Sequence, residues 1–212
     1  MKYLAEVVAV LLALSAQWLW LLGWYVLACL LCGLSFLSVG PAIFNKSETG
    51  QIPPLRMFIL APWRWLYMCT VGLQRLRRRE AATEVSPGLW LRRRLRPREL
   101  PLGGRLVVDL CAVSARMEGL APEVDYLCLP TLDGCPPARE AFERLVASVN
   151  EHPGPVLIHC AHGHGRSATL MVAVLVRRGV VPDPETAYAL LREKRPGVYL
   201  HSGQRRLVNL RK

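Results

Sequence analysis

The sequence predicts an α/β domain with a mostly parallel central sheet flanked by helices, preceded by an α-helical membrane hairpin. The sheet is predicted because short apolar runs alternate with segments of helical periodicity in the C-terminal part of the chain. Such alternation is typical of parallel sheets. The hairpin is predicted because residues 4–44 contain a single charged residue, Glu6. An apolar run of that length exceeds a cleavable signal peptide and indicates membrane helices.

The apolar run has room for two short helices, because about 20 apolar residues span a bilayer. We expect them to meet at a turn near Gly23, where aromatic side chains cluster as they do at a membrane interface. The alternative is one long helix that projects beyond the membrane. The expected helices cover 4–21 and 25–44, and the aromatic residues near the turn are Trp18, Trp20, Trp24 and Tyr25.

A second apolar stretch, 57–73, contains both Pro62 and Arg64. A charge and a proline at similar depth favour a helix lying in the membrane interface over a third membrane span. Arginines follow, and positive flanks stay on the cytoplasmic side of a membrane. We therefore expect a multi-pass membrane protein with two or three helices and a cytoplasmic C-terminal domain. The predicted parts are a transmembrane hairpin at 1–50, an interfacial helix with a basic linker at 51–83, and a soluble domain at 84–212.

The formal net charge of +11 is concentrated between residues 75 and 98, which hold nine arginines. Such a basic segment suits nucleic acid or anionic lipid. Because the arginines directly follow apolar segments, we expect a membrane surface as the partner and no nucleic acid. The seven cysteines show no regular disulfide framework, which indicates a reducing compartment.

The soluble part alternates strands with helices. Its strands are short aliphatic runs, and its helices carry apolar residues three or four positions apart, as at Phe142, Leu145 and Val149. Gly179 follows one helix and Pro184 begins the next, as expected at a helix end and in a first helical turn. The strands are predicted at 88–91, 106–110, 124–129 and 155–158, and the helices at 137–149, 166–178 and 184–194.

The soluble part is organised around residues 158–167, whose sequence is Ile-His-Cys-Ala-His-Gly-His-Gly-Arg-Ser. A strand leads into this segment and a helix leads out, so the turn presents backbone N–H groups and the positive end of the helix dipole to one point. Glycines let the backbone approach an anion closely. Arg166 offers a bidentate grip on a phosphate, and the same field favours the nucleophilic thiolate of Cys160.

The pattern His-Cys-x5-Arg-Ser resembles the signature of the cysteine-dependent protein tyrosine phosphatases, and its surroundings resemble the dual-specificity branch. The resemblance implies that Cys160 attacks phosphorus to give a phosphocysteine, with Arg166 holding the phosphate and Ser167 stabilising the leaving thiolate. It implies no metal and no other cofactor. The backbone amides implied to bind phosphate are those of Ala161, His162, Gly163, His164, Gly165 and Arg166.

The histidines of this segment have open interpretations. His159 resembles the family histidine that tunes the cysteine, but a packed histidine is the alternative. His162 and His164 either rim the pocket and add charge below neutral pH, or are merely exposed.

The departing oxygen needs a proton from a second loop, at the carboxyl end of a neighbouring strand. Asp133 lies in a Pro- and Gly-rich segment between a strand and a helix, and its place resembles that of the family's general-acid loop. Asp109 is the runner-up, although its position inside a strand suggests a structural hydrogen bond. Asp125 begins its strand, which is the wrong end. Gln204 lies in a segment that resembles the family's late loop, where a polar residue orients water.

Three functions fit these residues. The primary prediction is a membrane-anchored protein-tyrosine or dual-specificity phosphatase that acts on phosphotyrosine and also on phosphoserine or phosphothreonine. The second is a phospholipid or phosphoinositide phosphatase, which the anchor and the arginines favour but the lack of a lysine in the loop does not. The third is a non-catalytic phosphate-binding adaptor, against which the joint presence of Cys160, Arg166, Ser167 and Asp133 argues. The expected partners are therefore a phosphorylated protein or an anionic phospholipid, and a membrane.

Cys111 is a candidate redox partner of the nucleophile. It follows the strand at 106–110, in a segment that resembles the phosphoinositide-phosphatase branch, where a second cysteine lies beneath the nucleophile. A nearby thiol captures a sulfenic acid as a disulfide, provided that the two Cα atoms lie within about 7 Å. Cys135 is the alternative partner, and a plain buried thiol is the third interpretation.

Overall fold

The computed structural model describes residues 2–77, 82–94 and 106–210, without the side chains of 2–5, 7–14, 16 and 75–77. These residues form a five-stranded sheet in the order β1-β2-β5-β3-β4. The first two strands are antiparallel, and the other pairings are parallel. The predicted mostly parallel sheet is thus confirmed. The strands are β1 (Ala82–Ser86), β2 (Leu89–Arg93), β3 (Leu106–Cys111), β4 (Asp125–Thr131) and β5 (Val156–Cys160).

The two central strands, β3 and β5, are buried along their whole length. A parallel strand covered by helices on both faces is a continuous apolar run, which is why these two are evident in the sequence. Their register pairs Asp109 with His159, so the two strands end nearly level. The loops that follow β3, β4 and β5 therefore meet at one edge of the sheet, where open parallel sheets place their sites.

Four helices follow in the C-terminal part. The first begins two residues later than predicted, the second begins at Arg166 as expected, and the third matches its predicted bounds. The third helix is capped by Asp183, whose Oδ1 accepts a hydrogen bond from the Thr186 amide at 2.7 Å. The fourth helix was not predicted. They are α4 (Arg139–Glu151), α5 (Arg166–Arg177), α6 (Pro184–Lys194) and α7 (Ser202–Leu207).

The N-terminal segment is one continuous helix, α1 (Lys2–Leu34), followed by a π-helical turn at Ser35–Val39 and a 3₁₀ turn at Gly40–Phe44. The predicted hairpin with a turn at Gly23 is therefore wrong. One glycine within a helix costs only about 1 kcal/mol, which does not break a run of good helix formers. Trp24 also has a packing role, because its Nε1 donates to the Ile59 carbonyl at 3.0 Å.

Within the described residues, one helical stretch, Gln17–Phe44, is long and apolar enough to cross a membrane. Most of its side chains are exposed, with Trp20 at 81% and Leu37 at 84%. The core helix of a soluble protein buries such residues. The expected two or three spans are not supported.

Two helices, α2 (Pro54–Ile59) and α3 (Ala61–Arg77), occupy the stretch predicted as an interfacial helix. Pro62 lies in the first turn of α3, where a missing N–H is tolerated. Arg64 does not project away from the protein, because its Nε donates to the Val113 carbonyl at 3.1 Å. Four of the nine arginines between residues 75 and 98 lie outside the described residues, namely Arg78, Arg79, Arg96 and Arg98.

The segment before β1 shares a core with the loops at the site edge of the sheet. Phe44 and Leu60 are buried in one cluster with residues that follow β3 and β4, and Tyr67 packs against the main core. The cluster partners are Ala112, Val113 and Leu132. Residues 2–77, which we call the membrane-proximal segment after their predicted location, are therefore packed against the part that follows, although the predicted boundary at residue 84 separates the two.

Candidate active site

The predicted nucleophile lies at the carboxyl end of β5, where the loop 161–165 leads into α5. The Cys160 side chain is buried. Its Sγ accepts a hydrogen bond from the Gly163 amide at 3.2 Å and lies 3.2 Å from the Ser167 hydroxyl. The loop thus aims a backbone donor and a side-chain donor at the sulfur.

These contacts decide the protonation of Cys160. Burial alone raises the pKa of a thiol, but the positive charge of Arg166 and the donors of Ser167 and Gly163 outweigh it. The pKa of Cys160 therefore lies below the usual range for cysteine. A thiolate stabilised in this way is the form that attacks phosphorus.

Arg166 is buried at the start of α5, and the ends of two other strands fix its guanidinium. Nη1 donates to the Thr131 carbonyl at 2.9 Å and reaches the Leu110 carbonyl at 3.5 Å. Nε and Nη2 are buried and make no hydrogen bond within the described residues, although Nη2 lies 3.2 Å from Asp133 Oδ1. These two donors leave a fork for a phosphate.

Asp133 lies in the loop after β4, with its side chain 53% exposed. It shares an open pocket of about 390 Å³ with Cys160, His162 and His164. The predicted acid and the predicted nucleophile thus line one pocket. His162 and His164 line this pocket as well, and a charge on them below neutral pH stays a prediction.

Gly163 adopts a positive φ of 74° in this loop. A Cβ at that position would lie 2.5 Å from the Arg92 carbonyl oxygen. Both the backbone angle and the close approach require glycine. The glycine predicted to allow anion approach therefore also lets the loop pack on β2.

His159 and Asp109 lie side by side beneath the loop, both fully buried. Burial lowers the pKa of His159, which keeps the imidazole neutral although the Asp109 charge acts in the opposite sense. Its Nε2 lies 3.8 Å from Asp109 Oδ1, and neither ring nitrogen makes a hydrogen bond within the described residues. This geometry favours the packed histidine of the two interpretations.

Asp109 has the structural hydrogen bonds that its place in a strand suggested. Its carboxylate accepts from Lys46 Nζ, the Cys111 amide and the Tyr126 hydroxyl, each at 2.7 Å. Burial acts to raise the pKa of Asp109, but the charge and hydrogen bond of Lys46 and the Cys111 amide hold it well below its usual range. The runner-up acid is therefore held as a buried carboxylate.

Cys111 ends β3 and is buried. Burial, and then the negative charge of Asp109, raise the pKa of Cys111 above the usual range, so its thiol is protonated at neutral pH. Cys135 lies half-buried in the acid loop, and all seven cysteines are free. A disulfide from either one to Cys160 stays a prediction.

The side chains of Asp109, Cys111 and His159 place potential metal-ligand atoms within 4.8 Å of one another. The Lys46 ammonium already lies 2.7 Å from the Asp109 carboxylate and supplies the positive charge there. Cys111 is also held as a protonated thiol, whereas a metal binds the thiolate. These residues do not fit a metal ion.

Arg195 is a site residue that the sequence did not reveal. It is buried, and its Nε donates to the Gly163 carbonyl at 3.0 Å while Nη2 donates to the His162 carbonyl at 3.2 Å. Its Nη1 donates to Thr83 Oγ1 at 3.0 Å. The guanidinium thus ties the nucleophile loop to β1. An arginine before Pro-Gly was the available signal, but its role depends on a contact 32 residues away.

Four further residues lie in or beside the pocket wall. Gln204, placed by resemblance in the late loop, is buried, and its Oε1 accepts from the His201 amide at 3.0 Å. Tyr199 and His201 line the pocket from that side. Gln74 of α3 lines it from the other, which the sequence did not reveal.

A family model described as dual specificity phosphatase, catalytic domain, matches residues 124–211. Solved structures share the fold. The human tyrosine phosphatase-like serine/threonine/tyrosine-interacting protein gives a TM-score of 0.53 at 20% identity, covering 61% of this chain and 93% of that one. A single-residue variant of human DUSP28 gives 0.52 at 21% identity, covering 61% and 92%. Residues 124–211 therefore resemble the catalytic domain of the dual-specificity phosphatases, and the described fold is the one these proteins share.

The chain also resembles proteins named for lipid phosphates. Over 89 residues it is 33% identical to the phosphatidylglycerophosphate phosphatase PTPMT1 of Arabidopsis thaliana, a match that covers 40% of this chain and 26% of that protein. The chain thus spans about a quarter of the length of this curated relative. A solved structure of PTPMT1 in complex with PI(5)P gives a TM-score of 0.51 at 18% identity, covering 61% and 92%.

Proposed function

We propose that this phosphatase hydrolyses phosphate monoesters through a phosphocysteine on Cys160, at a membrane surface. The observation that carries the proposal is the Cys160 sulfur between two donors, with the Arg166 guanidinium fixed nearby. A sulfur in this setting is an activated nucleophile. The surrounding N–H groups are suited to the equatorial oxygens of a phosphoryl group in transfer.

In the first step the Cys160 thiolate forms a bond to phosphorus as the bond from phosphorus to the leaving oxygen breaks. That oxygen takes its proton from Asp133, which lines the same pocket. The incoming phosphate takes the place of Asp133 at Arg166.

In the second step a water molecule attacks the phosphocysteine and gives its proton to the Asp133 carboxylate. The sulfur–phosphorus bond breaks, and the thiolate returns to the Ser167 hydroxyl at 3.2 Å. Gln204 lies beside Gly165, where a Cβ would be 3.5 Å from its Oε1. This places an amide within reach of the loop and supports a role for Gln204 in orienting the water.

Protein phosphotyrosine is the first candidate substrate. The exposed ring of Tyr199 lies on the pocket rim beside His201, with the ring centroids 5.2 Å apart and nearly perpendicular. An aromatic rim gives an aryl phosphate a face to pack on. Phosphoserine and phosphothreonine leave that face uncovered, and we therefore place them second among protein substrates.

A membrane phospholipid monoester is the second candidate. The pocket wall includes Gln74 of α3, which is a membrane-proximal helix. A substrate embedded in the bilayer would meet the pocket from this side. The names of the lipid-acting relatives support the same candidate.

The deciding measurement is phosphate release by the full chain in vesicles. The substrates are a phosphotyrosine peptide, a matched phosphothreonine peptide and phosphatidylglycerophosphate. We expect the highest kcat/KM with the phosphotyrosine peptide; the reverse order makes the phospholipid the substrate. Cys160→Ser is the control, and release at the parent rate by this variant contradicts the phosphocysteine mechanism. If the parent chain binds phosphate but releases none from any of the three substrates, the result favours the phosphate-binding adaptor.

A further inference from the structure

Lys46 belongs to the segment between the apolar helix and α2, yet its side chain is fully buried. Its Nζ donates to Asp109 Oδ2 at 2.7 Å and to the Cys111 carbonyl at 2.7 Å. The first partner is a side chain of β3, and the second is the backbone at the end of the same strand. The Lys46 ammonium therefore binds the last three residues of β3 at two points, the Asp109 side chain and the Cys111 carbonyl.

A buried ammonium is unfavourable unless its charge and its donors are matched. Here both are matched, because Asp109 supplies the opposite charge and the Cys111 carbonyl accepts a second donor. Asp109 in turn accepts from the Cys111 amide and from Tyr126. Several short hydrogen bonds to one buried carboxylate favour a single geometry, which fixes Lys46, Asp109 and the Cys111 backbone relative to one another.

The fixed end of β3 supports the phosphate site directly. Leu110 lies between the two residues that Lys46 holds, and its carbonyl is 3.5 Å from Nη1 of Arg166. Asp109 pairs in register with His159, which immediately precedes Cys160. A shift at the end of β3 therefore displaces both the phosphate clamp and the nucleophile.

Two further hydrogen bonds join the membrane-proximal segment to the chain that follows β3. Arg64 Nε donates to the Val113 carbonyl at 3.1 Å. The Arg116 amide donates to the Gly50 carbonyl at 2.7 Å. The segment thus follows the loop after β3, and Lys46 lies where that loop meets the site.

We propose that Lys46 is a positioning residue of the phosphatase site, which holds the end of β3 so that Arg166 and Cys160 keep the phosphate-binding geometry. The inference rests on the proposed function, since it assigns the position of the proposed clamp and nucleophile. It also makes the membrane-proximal segment part of the catalytic apparatus. A purely structural role for Lys46 predicts loss of stability alone.

The test compares full-length variants by three readouts: the thermal midpoint, kcat and KM with an aryl phosphate, and the protection of Cys160 from alkylation by tungstate. Tungstate mimics phosphate and needs no turnover. A displacement of about 1 Å costs on the order of 10²-fold in rate, so we expect Lys46→Met to lower kcat/KM by about 10²-fold. We also expect weaker tungstate protection, with Lys46→Arg recovering most of both.

The double variant Lys46→Met/Asp109→Asn separates positioning from stability. It removes both buried charges, so the thermal midpoint should return towards that of the parent, while kcat/KM and tungstate protection stay low. Return of all three readouts to parent values overturns the proposal. So does parent-like activity and protection in Lys46→Met. Failure of the double variant to fold also overturns it, because Lys46 is then needed for the fold as a whole.

Lys194→Met is the matched control, because Lys194 is an exposed lysine at the end of α6. It should leave all three readouts unchanged. If the parent chain releases no phosphate but tungstate protects its Cys160, the proposed function fails while the positioning role is still tested by the protection alone.

Discussion

The Cys160 sulfur owes its reactivity to contacts with Arg166, Ser167 and Gly163, which a free cysteine lacks. Since these contacts lower its pKa, the thiolate persists to lower pH than in a free thiol with a pKa of about 8.5. With an activated aryl phosphate, whose leaving group needs no proton, we expect kcat/KM to fall on the acid side at a pH below the pKa of a free thiol. Alkylation of Cys160 by iodoacetamide, followed by mass spectrometry against pH, measures this midpoint.

Ser167→Ala is the matched variant for that measurement. It removes the hydroxyl 3.2 Å from the sulfur, so the midpoint of alkylation should move to higher pH. A parent midpoint equal to that of a free cysteine would show that Arg166 and the loop do not stabilise the thiolate.

Asp133→Asn tests the general acid. It should lower turnover by about 10²–10⁴-fold, the range for general acid–base catalysis. The loss should shrink with an activated phenol, because such a leaving group departs without a proton. Steady-state rates with a series of aryl phosphates measure this dependence.

Asp125→Asn is the control for the acid, since Asp125 begins β4 at the opposite edge of the sheet and should leave turnover unchanged. If Asp109→Asn instead shows the dependence on the leaving group, the acid is misassigned. The buried, hydrogen-bonded state of Asp109 argues against that outcome.

The site residues that sequence reasoning identified are those set by local geometry. Cys160, Arg166 and Ser167 lie in one strand–loop–helix unit, so their spacing alone determines that they meet. Asp133 was found because parallel strands end at a common edge. Lys46 meets Asp109 across 63 positions, and Arg195 meets Gly163 across 32. Such contacts depend on how whole elements pack, which one sequence does not specify.

At the scale of elements, Arg195 directly follows α6 and joins the end of that helix to the nucleophile loop. Arg195→Met leaves two buried loop carbonyls, those of Gly163 and His162, without their charged donor. Hydrogen bonds to charged groups contribute about 1.5–3 kcal/mol each, so we expect the free energy of unfolding to fall by about 3 kcal/mol. Chemical denaturation measures it, and kcat/KM should fall as well.

Arg192→Met is the control for Arg195, because Arg192 is exposed on the same helix. It should change neither quantity. A stability loss without any change in kcat/KM for Arg195→Met would restrict Arg195 to the fold and remove it from the loop's function.

The elements that sequence reasoning missed have weak patterns. β1 is a short edge strand in which only Val85 is buried, so its apolar content is too low to be recognised. The helix α7 has six residues, less than two turns. The hairpin was expected from aromatic clustering near Gly23, but Trp24 stacks on Phe58 with the ring centroids 4.8 Å apart. The Trp24 ring therefore packs between helices and does not mark a turn.

At the scale of the whole molecule, one part of the membrane-proximal segment is exposed and another part is packed against the core. Its apolar helix exposes most side chains, whereas Lys46, Arg64 and Tyr67 are tied to the phosphatase core. A chain that begins at residue 84 lacks all three. The boundary predicted there marks where the sheet begins, and the packing argues that the functional unit includes residues before it.

We expect the apolar helix to retain the full chain in membranes after a carbonate wash. The stretch Gln17–Phe44 is long enough to span a bilayer, and the arginines that follow it favour a cytoplasmic phosphatase part. Sedimentation of washed membranes, followed by protease digestion of sealed and opened vesicles, measures both retention and orientation. If protease added outside sealed cells digests residues 84–212, the expected cytoplasmic orientation is wrong.

Leu30→Arg is the variant that separates membrane insertion from folding. Leu30 is 62% exposed, so a charge there should leave the phosphatase core and its activity intact. An arginine near the centre of a membrane helix costs about 2.5–3.5 kcal/mol, so the fraction retained after the wash should drop. A chain whose retention is unaffected by Leu30→Arg is held to membranes by some other part, such as the arginines acting on anionic lipid. A mature chain shortened at its N-terminus would instead identify the helix as a removed signal sequence.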